Sequence, residues 1–405
     1  MGLLTERDNT LGLTSNMRVC VISMKECWQE PGNGWVSYGG FPRQMNAIAS
    51  LFDHMDLLIL DSRPRAGSLP LPGTANVVAM REPSGVDSRR KLDVILKLPY
   101  YAGTMMRHIR RADVVHTPLP GDMPFLGMVM ALLMRKPLLA RYGGAWTPTA
   151  ETTFMNRVTR TLMRFAARGS NVVIATGVGE RKPDPGVEWL FSTSLTEAEL
   201  KGIKPVLNRG LSNPPRLLYA GRLSVEKGVY QLVHAMGSLL GSGFQPMPFL
   251  TLAGEGPDRA ALEGIVRGNG CAPYVRFAGQ LNRSELSNEF HAADLCTQPS
   301  LTESFGKAWI DGMAHGLPVI TCDVGSARAC IGNDGERGWV IQPGKVEQLA
   351  DAIRNALTAN VDWPAMRARC RVYAEQFTIE SWKKSIAGFC SARWNCKIEN
   401  GRLTR

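Results

Sequence analysis

The sequence predicts an α/β protein built from two Rossmann-like domains, each a doubly wound parallel sheet, that face each other across a cleft. Three observations predict this. Short β-branched apolar runs alternate with stretches of helical spacing, and the whole alternation is passed through twice. A segment rich in Gly, Pro and Lys separates the two passes. The length of 405 residues exceeds what one hydrophobic core usually organises. Strands that alternate with helices imply parallel βαβ units with both sheet faces covered, and ligands of such sheets bind beyond the carboxyl ends of the strands.

In chain order, residues 1–16 carry Glu6, Arg7 and Asp8 with no apolar segment, and read as a flexible tail rather than a signal peptide. The first domain is expected over 17–200. Its strands are 17–23 (MRVCVIS), 55–60 (MDLLIL), 113–116 (DVVH), 137–140 (PLLA) and 171–175 (NVVIA). A Gly-rich loop at 32–40 is expected after the first strand, then a helix beyond Phe41; an apolar helix near Met128 precedes PLLA. Residues 201–216 have linker composition, with Gly202, Pro205, Gly210, Pro214 and Pro215. The alternation resumes over 217–375 with RLLYA (216–220), FLTLA (249–253), YVRFA (274–278), LCTQ (295–298) and PVIT (318–321) as strands. A C-terminal helix within 376–405 is expected to cross back to the first domain.

Composition narrows the class. Hydrophobic residues make up 44% and charged residues 20%, ordinary for a globular chain. No apolar run approaches the ~20 residues that span a bilayer. Nine cysteines without a Cys-x-x-Cys pair argue against a disulfide framework and a zinc site, and point to a reducing, cytoplasmic compartment. The net charge of +11 favours anionic partners. It is densest where Arg89, Arg90, Lys91, Lys97, Arg107, Arg110 and Arg111 meet only Asp93, interleaved with Leu92, Ile95, Leu96, Tyr100 and Tyr101. One or two basic amphipathic helices, interrupted near Pro99, fit this pattern. Two readings stand: a solvated helix face, or attachment to an anionic membrane surface or acceptor. No nucleic-acid-binding module is recognisable.

Four clusters in the second half carry the chemistry. Gly221, Arg222 and Lys227 follow a strand end, where a forked guanidinium and a mobile ammonium suit a diphosphate; a strand-to-helix turn with solvated cations, Ser224 near its N-cap, is the alternative. Gly254, Glu255 and Gly256 form a second turn, where glycine permits close approach of backbone to ligand, although a plain turn is the favoured account. Residues 299–306 (PSLTESFG) run into a helix holding Lys307, Trp309 and Asp311. Free N–H groups at a helix start attract anions, while the carboxylate of Glu303 suits sugar hydroxyls; N-capping by Thr302 or Ser304 is the rival account. Asp311 lies two turns beyond Glu303 and could meet a ribose. The fourth, 312–320, reads as a helix end and buried strand, with His315 favourable to the helix dipole. Neither domain shows Gly-x-Gly-x-x-Gly after its first strand, which disfavours a nicotinamide dehydrogenase.

Together YAGRLSVEKG, LAGEGP, VRFAGQL, ADLCTQPSLTESFGKAWIDGMAHGLPVI and QFTIESWKKS resemble the GT-B-fold retaining glycosyltransferases of family 4, the glycosyl transferases group 1. The resemblance is close over about 216–385 and looser before it. It implies that Arg222 and Lys227 hold the donor diphosphate, that Glu303 is the first glutamate of the Glu-x7-Glu signature, and that Ser304, Phe305 and Gly306 line the sugar or phosphate. Gly39 and Gly40 match the first-loop glycine pair of the opposite domain. Asp311 stands one methylene short at the second glutamate position. Tyr142-Gly143-Gly144 replaces the usual His-Gly, which leaves His116, Arg141 and Tyr142 as candidates for the sugar and acceptor side.

The resemblance implies transfer of a hexosyl unit, with retention, from a nucleoside diphosphate sugar to a hydroxyl acceptor. No metal or other cofactor is expected; no Asp-x-Asp triplet is present. A lipid-linked acceptor in polysaccharide or glycolipid assembly, met by a protein peripheral to the inner membrane face, fits the basic stretch. Two other classes stay open: a degenerate protein that binds nucleotide sugar or a partner without transfer, and a GT-B-fold nucleotide-sugar epimerase.

Overall fold

The computed structural model describes residues 17–404 apart from 66, 86 and 149–151; the tail expected over 1–16 lies outside them. Two parallel sheets organise the chain. In the first, the strands run in the order Ala75–Arg81, His54–Asp61, Arg18–Glu30, Val114–Leu119, Leu138–Tyr142, Val172–Thr176, Val187–Leu190. In the second the order is Val275–Gly279, Phe249–Ala253, Arg216–Ala220, Leu295–Gln298, Val319–Cys322, Gly338–Ile341. Both follow the doubly wound 3-2-1-4-5-6 pattern, the first with Val187–Leu190 added, with Gly34–Tyr38 paired antiparallel onto its extended first strand and Ser68–Pro70 antiparallel onto Gly34–Tyr38. Each reverses direction beside its own first strand, which is where such sheets open a crevice.

The buried runs explain the central strands. Val172–Thr176 and Leu138–Tyr142 are buried at every position, as parallel strands covered on both faces must be. Strands that the sequence reading missed lie away from the sheet centres. Ala75–Arg81 has one fully buried residue and Gly338–Ile341 is opened by a glycine, so neither is covered along its whole length. The Gly-rich loop expected at 32–40 is corrected: the first strand continues to Glu30 and folds back as an antiparallel hairpin with Gly34–Tyr38. Trp28 stacks on Tyr38 across the hairpin, and Ser37 Oγ donates to the Glu26 carbonyl at 2.6 Å. The aromatic pair thus organises these residues, and only Gly39 and Gly40 stand before the helix Phe41–Ala49.

Helices Leu98–Arg111, Asp122–Leu133 and Phe154–Ala166 cover one face of the first sheet. Phe41–Ala49 and the long helix Ile379–Trp394 cover the other. The latter is bound to the first domain through fully buried Trp382 and through Arg393 and Trp394, which donate to carbonyls at Gly186 and Ser170. The basic stretch forms Asp87–Leu96 and Leu98–Arg111, with Pro99 in the first turn of the second helix, where a missing N–H costs nothing. All nine cysteines are buried.

Candidate functional site

Loops at the carboxyl ends of both sheets meet in a cleft. On its second-domain side a cavity of ≈ 440 Å³ is walled by Gly221, Arg222, Gly254, Glu255, Gln280 and Leu281, with Lys307 and Asp311 from the helix Lys307–Ala314. Three strand-end turns are laced together here: Gly221 N–H donates to Ala253, Leu223 N–H to Glu255 and Gly254 N–H to Gly279. A methyl at Gly254 would stand 1.9 Å from the Gly221 carbonyl oxygen. That glycine therefore admits the neighbouring turn, in keeping with the plain-turn reading.

Arg222 is exposed on the cavity rim, and its guanidinium makes no hydrogen bond among the described residues. Its backbone carbonyl is pinned by the Tyr219 hydroxyl at 2.6 Å. Lys227 ends the single 3-10 turn Val225–Lys227 and places its Nζ 2.7 Å from Glu303 Oε2. Ser224 donates to the Glu226 carboxylate at 2.7 Å and caps nothing. Glu303 also accepts from the Ser304 N–H at 3.3 Å. It opens onto an adjoining interdomain cavity of ≈ 360 Å³, shared with Ser304, Ser326, Trp146 and Trp189. Leu301 N–H donates to the Glu226 carbonyl at 2.9 Å, which ties the Lys227 loop to the Glu303 loop.

The helix Lys307–Ala314 starts with Gly306 at its N-cap, so neither Thr302 nor Ser304 caps it. Phe305 buries its ring against Phe191 and Phe377, both at the crossing between domains. The N–H groups of Phe305 and Gly306 donate to no protein oxygen among the described residues, which leaves them free for an anion or a hydroxyl. Asp311 lines the donor-side cavity and a second one of ≈ 330 Å³ with Glu199, Arg283 and His315. Burial pushes its carboxyl upward, against the pull of Arg283 and Lys307. Glu255 is exposed and paired with Arg259. Arg222, Glu255 and Asp311 thus share one cavity, and the Lys227–Glu303 pair stands beside it.

On the first-domain side, Gly40 caps the helix Phe41–Ala49, and a methyl there would stand 3.5 Å from Lys307 Nζ. Lys307 therefore reaches across the cleft to the Gly39–Gly40 loop. Protein surrounds it from both domains while solvent enters through the cleft, and this desolvation, with Arg141 nearby, holds its ammonium below the ordinary range. Sequence reasoning did not assign this residue. A signal existed: a cation in the first helical turn opposes the helix dipole and calls for another reason to be there.

Arg141 is buried, donating to Gln44 Oε1 at 2.8 Å and Ser192 Oγ at 3.2 Å beneath the Trp382 ring. Burial pulls its guanidinium down to about 10. The other two candidates on this side are corrected. His116 is enclosed in the sheet with Nδ1 donating to the Leu139 carbonyl at 2.8 Å; it lines none of the cleft cavities, and burial lowers it to about 4. Tyr142 turns its ring to the opposite sheet face, edge-on to Trp146, because successive strand residues alternate sides. Gly143 faces the cleft instead, accepting from Ser304 Oγ at 3.4 Å. His315 is also corrected: burial lowers it to about 4, and it sits neutral between the Asp311 carbonyl and the Ser287 hydroxyl, giving no charge to the helix end. Among the described residues no three His, Cys, Asp or Glu side chains are grouped to hold a metal ion.

Residues 208–377 match the family described as glycosyl transferases group 1. The sulfoquinovosyl transferase SQD2 of Arabidopsis thaliana is 25% identical over 327 residues, covering 71% of this chain and 61% of the plant protein. Glycogen synthase of Mycobacterium tuberculosis is 34% identical over 179 residues, 44% of this chain and 42% of its own. The matched part thus spans less than two thirds of either relative. Among solved structures, sucrose-phosphate synthase from Thermosynechococcus elongatus superposes with a TM-score of 0.70 at 20% identity, covering 94% of this chain and 99% of the other. Anabaena HepE, solved with UDP and glucose, gives 0.65 at 17% identity, with 93% and 100% covered. Residues 208–377 thus match the glycosyl transferases group 1, and the two domains together have the GT-B fold of the solved neighbours.

Proposed function

We propose that the protein is a retaining glycosyltransferase that moves a hexosyl unit from a nucleoside diphosphate sugar to a hydroxyl acceptor. The observation that carries this is Arg222 on the ≈ 440 Å³ cavity at the carboxyl end of the second sheet, together with the Lys227–Glu303 pair, whose Glu303 lines the ≈ 360 Å³ cavity. Arg222 has a free guanidinium, and Lys227 is held ready by a carboxylate that accepts hydroxyl hydrogens equally well. Solved relatives of this fold bound to UDP and glucose support a nucleotide-sugar donor. Retention and independence from metal rest on the motif resemblance.

In this reading the diphosphate lies between Arg222, Lys227 and the free N–H groups at Phe305 and Gly306. Glu303 exchanges Lys227 for hydroxyls of the donor sugar. As the bond between the anomeric carbon and the leaving phosphate oxygen breaks, negative charge grows where the two cations already stand. The acceptor hydroxyl attacks on the same face, and its proton passes to the departing phosphate. One preorganised donor of this kind is worth roughly 3–4 kcal/mol, about 10²–10³ in rate. Thermal-shift titration with a panel of nucleoside diphosphates and their sugars tests the assignment. One nucleotide is expected to stabilise the wild type by about 2.7 kcal/mol at a hundred times its dissociation constant. Arg222→Ala should lose that shift and Glu303→Ala only its sugar-dependent part. Absence of any shift in the wild type would leave the chain without a donor.

The reading extends to a membrane surface. No described helix is long and apolar enough to cross a membrane. Leu92, Ile95 and Leu96 are nevertheless 58%, 64% and 71% exposed beside Arg89 and Arg90. Apolar residues set among arginines suit the interface of an anionic bilayer. Flotation with phosphatidylglycerol vesicles should recover the wild type and not Ile95→Asp/Leu96→Asp; equal recovery with phosphatidylcholine would refute the attachment.

A further inference from the structure

The first domain carries a second cavity, of ≈ 400 Å³, that opens onto the cleft opposite the donor side. Its polar lining is lopsided. Lys25, Arg141 and Lys307 all reach it, and among the described residues no carboxylate does. The neighbouring carboxylates already have cation partners, Glu26 with Arg65 at 2.8 Å and Glu303 with Lys227 at 2.7 Å, although Glu26 also acts on Lys25 and Tyr38, and Asp311 and Glu303 on Lys307. Neutral hydrogen-bonding groups complete the wall, with Tyr38, Gln44 and Ser192.

Arg141 shows how unusual this is. It is 8% exposed and bonded only to an amide and a hydroxyl oxygen, and its Nε has no partner. Among the described residues, Arg367 also has nitrogens without a hydrogen-bond partner, but it stands 3.7 Å from the Asp294 carboxylate, and Arg160 donates to two backbone carbonyls; Arg141 has no carboxylate beside it. A charge removed from water is normally paired, and leaving one unpaired is unfavourable. Like charges converging on one space add to that cost. An arrangement of this sort is stable in use when an anion fills the space, since Arg forks two oxygens and Lys serves as a movable point charge.

We infer that this cavity binds the acceptor through a compact oxyanion, a phosphate or its equivalent, gripped by Lys25, Arg141 and Lys307. The inference rests on the donor assignment above for its orientation: Lys307 lines both cavities, so an anion held there brings the remainder of its molecule, with the hydroxyl to be glycosylated, against the donor side. The acceptor is then an anionic hydroxyl compound, either a soluble phosphorylated one or a phospholipid headgroup.

Isothermal titration of the full chain, saturated with the nucleoside diphosphate that binds it, provides the test. The probes are glucose 6-phosphate against glucose, and dihexanoylphosphatidylglycerol against dihexanoylglycerol. At least one phosphorylated probe should bind tenfold or more tightly than its uncharged counterpart, and which one does so separates the soluble source from the lipid source. Lys25→Met and Lys307→Met should each remove most of that preference. Arg141→Gln should do so too, and the lysine variants keep the test decisive if burial makes that variant unstable. Equal affinity for charged and uncharged probes in both pairs overturns the inference, as does a preference that survives in both lysine variants. Nucleotide affinity, measured in the same cell, reports separately on the donor reading; if no nucleotide binds, the donor assignment fails while the phosphate preference is still read on the free chain.

Discussion

Gly228→Ala is a single methyl that should disable both stability and the donor site. Gly228 closes the turn after Lys227 with φ 68 and ψ 15, a left-handed conformation that costs an L-residue roughly 1–2 kcal/mol. The added Cβ would fall 1.8 Å from the Pro299 carbonyl oxygen and 2.6 Å from its carbon. Ordinary contact begins beyond 3 Å, so the backbone at Pro299–Ser300 must retreat by more than an ångström, an overpacking cost of about 1–3 kcal/mol. The sum is about 2–5 kcal/mol, or roughly 4–20 °C in the melting temperature of a domain this size. The retreat also displaces the loop that leads to Glu303, whose carboxylate must lie 2.7 Å from Lys227 Nζ for the pair to hold. Differential scanning calorimetry and nucleotide titration should therefore fall together. Gly264→Ala is the control, since nothing lies within 4 Å of a methyl there, within the helix Arg259–Gly268. That change should stabilise by up to about 1 kcal/mol. A Gly228→Ala protein with wild-type melting and nucleotide affinity would refute the backbone argument.

Glu199 joins the two domains: it accepts from Arg43 of the first at 2.6 Å and pairs with Arg283 of the second at 2.7 Å, while its own helix is capped through Thr196. All three side chains are partly exposed, so Glu199→Gln should cost less than about 2 kcal/mol yet raise the donor KM and broaden the distance distribution in small-angle scattering; unchanged scattering and KM would remove it as an interdomain tie. His116 and His315 give a pH signature. Both are neutral in the folded chain down to about 4, whereas unfolded histidine takes up its proton near 6.5. The unfolded state binds more protons between those values, so stability falls as pH drops from about 6.5 to 4, by about 2 kcal/mol per histidine between pH 7 and 5. Urea midpoints should show that loss shrink in His116→Gln, and equal losses in variant and wild type would contradict the buried neutral imidazole.

How much of this was legible in the sequence differs between the halves for a physical reason. In the second domain the site is local: Gly221 to Gly228 and Glu303 to Asp311 are two short segments, each following a strand, and short-range spacing carries them. The alternation of apolar runs sufficed for the doubly wound sheets because buried parallel strands are continuous in sequence. Edge elements such as Ala75–Arg81 escaped because they are only half covered. The hairpin at Gly34–Tyr38 escaped because glycine content was weighed above the aromatic pair that fixes it. His116 and Tyr142 looked available from their place near strand ends, but which face of a strand meets the cleft is set by register against neighbours, which one strand does not contain.

The first-domain cavity was beyond local reading altogether. Lys25, Gly40, Arg141 and Ser192 come from four separate loops and strands, and Lys307 comes from the other domain. Each alone reads as a solvated cation, a turn or a hydroxyl. Only their convergence shows a positive space without a carboxylate, and convergence follows from the fold. The consequence reaches the division of labour in the cleft. The donor-side cations are partly balanced, Lys227 by Glu303, so that side can stand empty at little electrostatic cost. The cations opposite line a space that no described carboxylate enters, and Lys307 joins the two sets. An anion entering at Arg141 would offset the burial and the Arg141 repulsion that hold Lys307 below its ordinary range and strengthen that ammonium as a contact for the donor. Acceptor and donor would then bind cooperatively through one side chain, with domain closure favoured only when both are present.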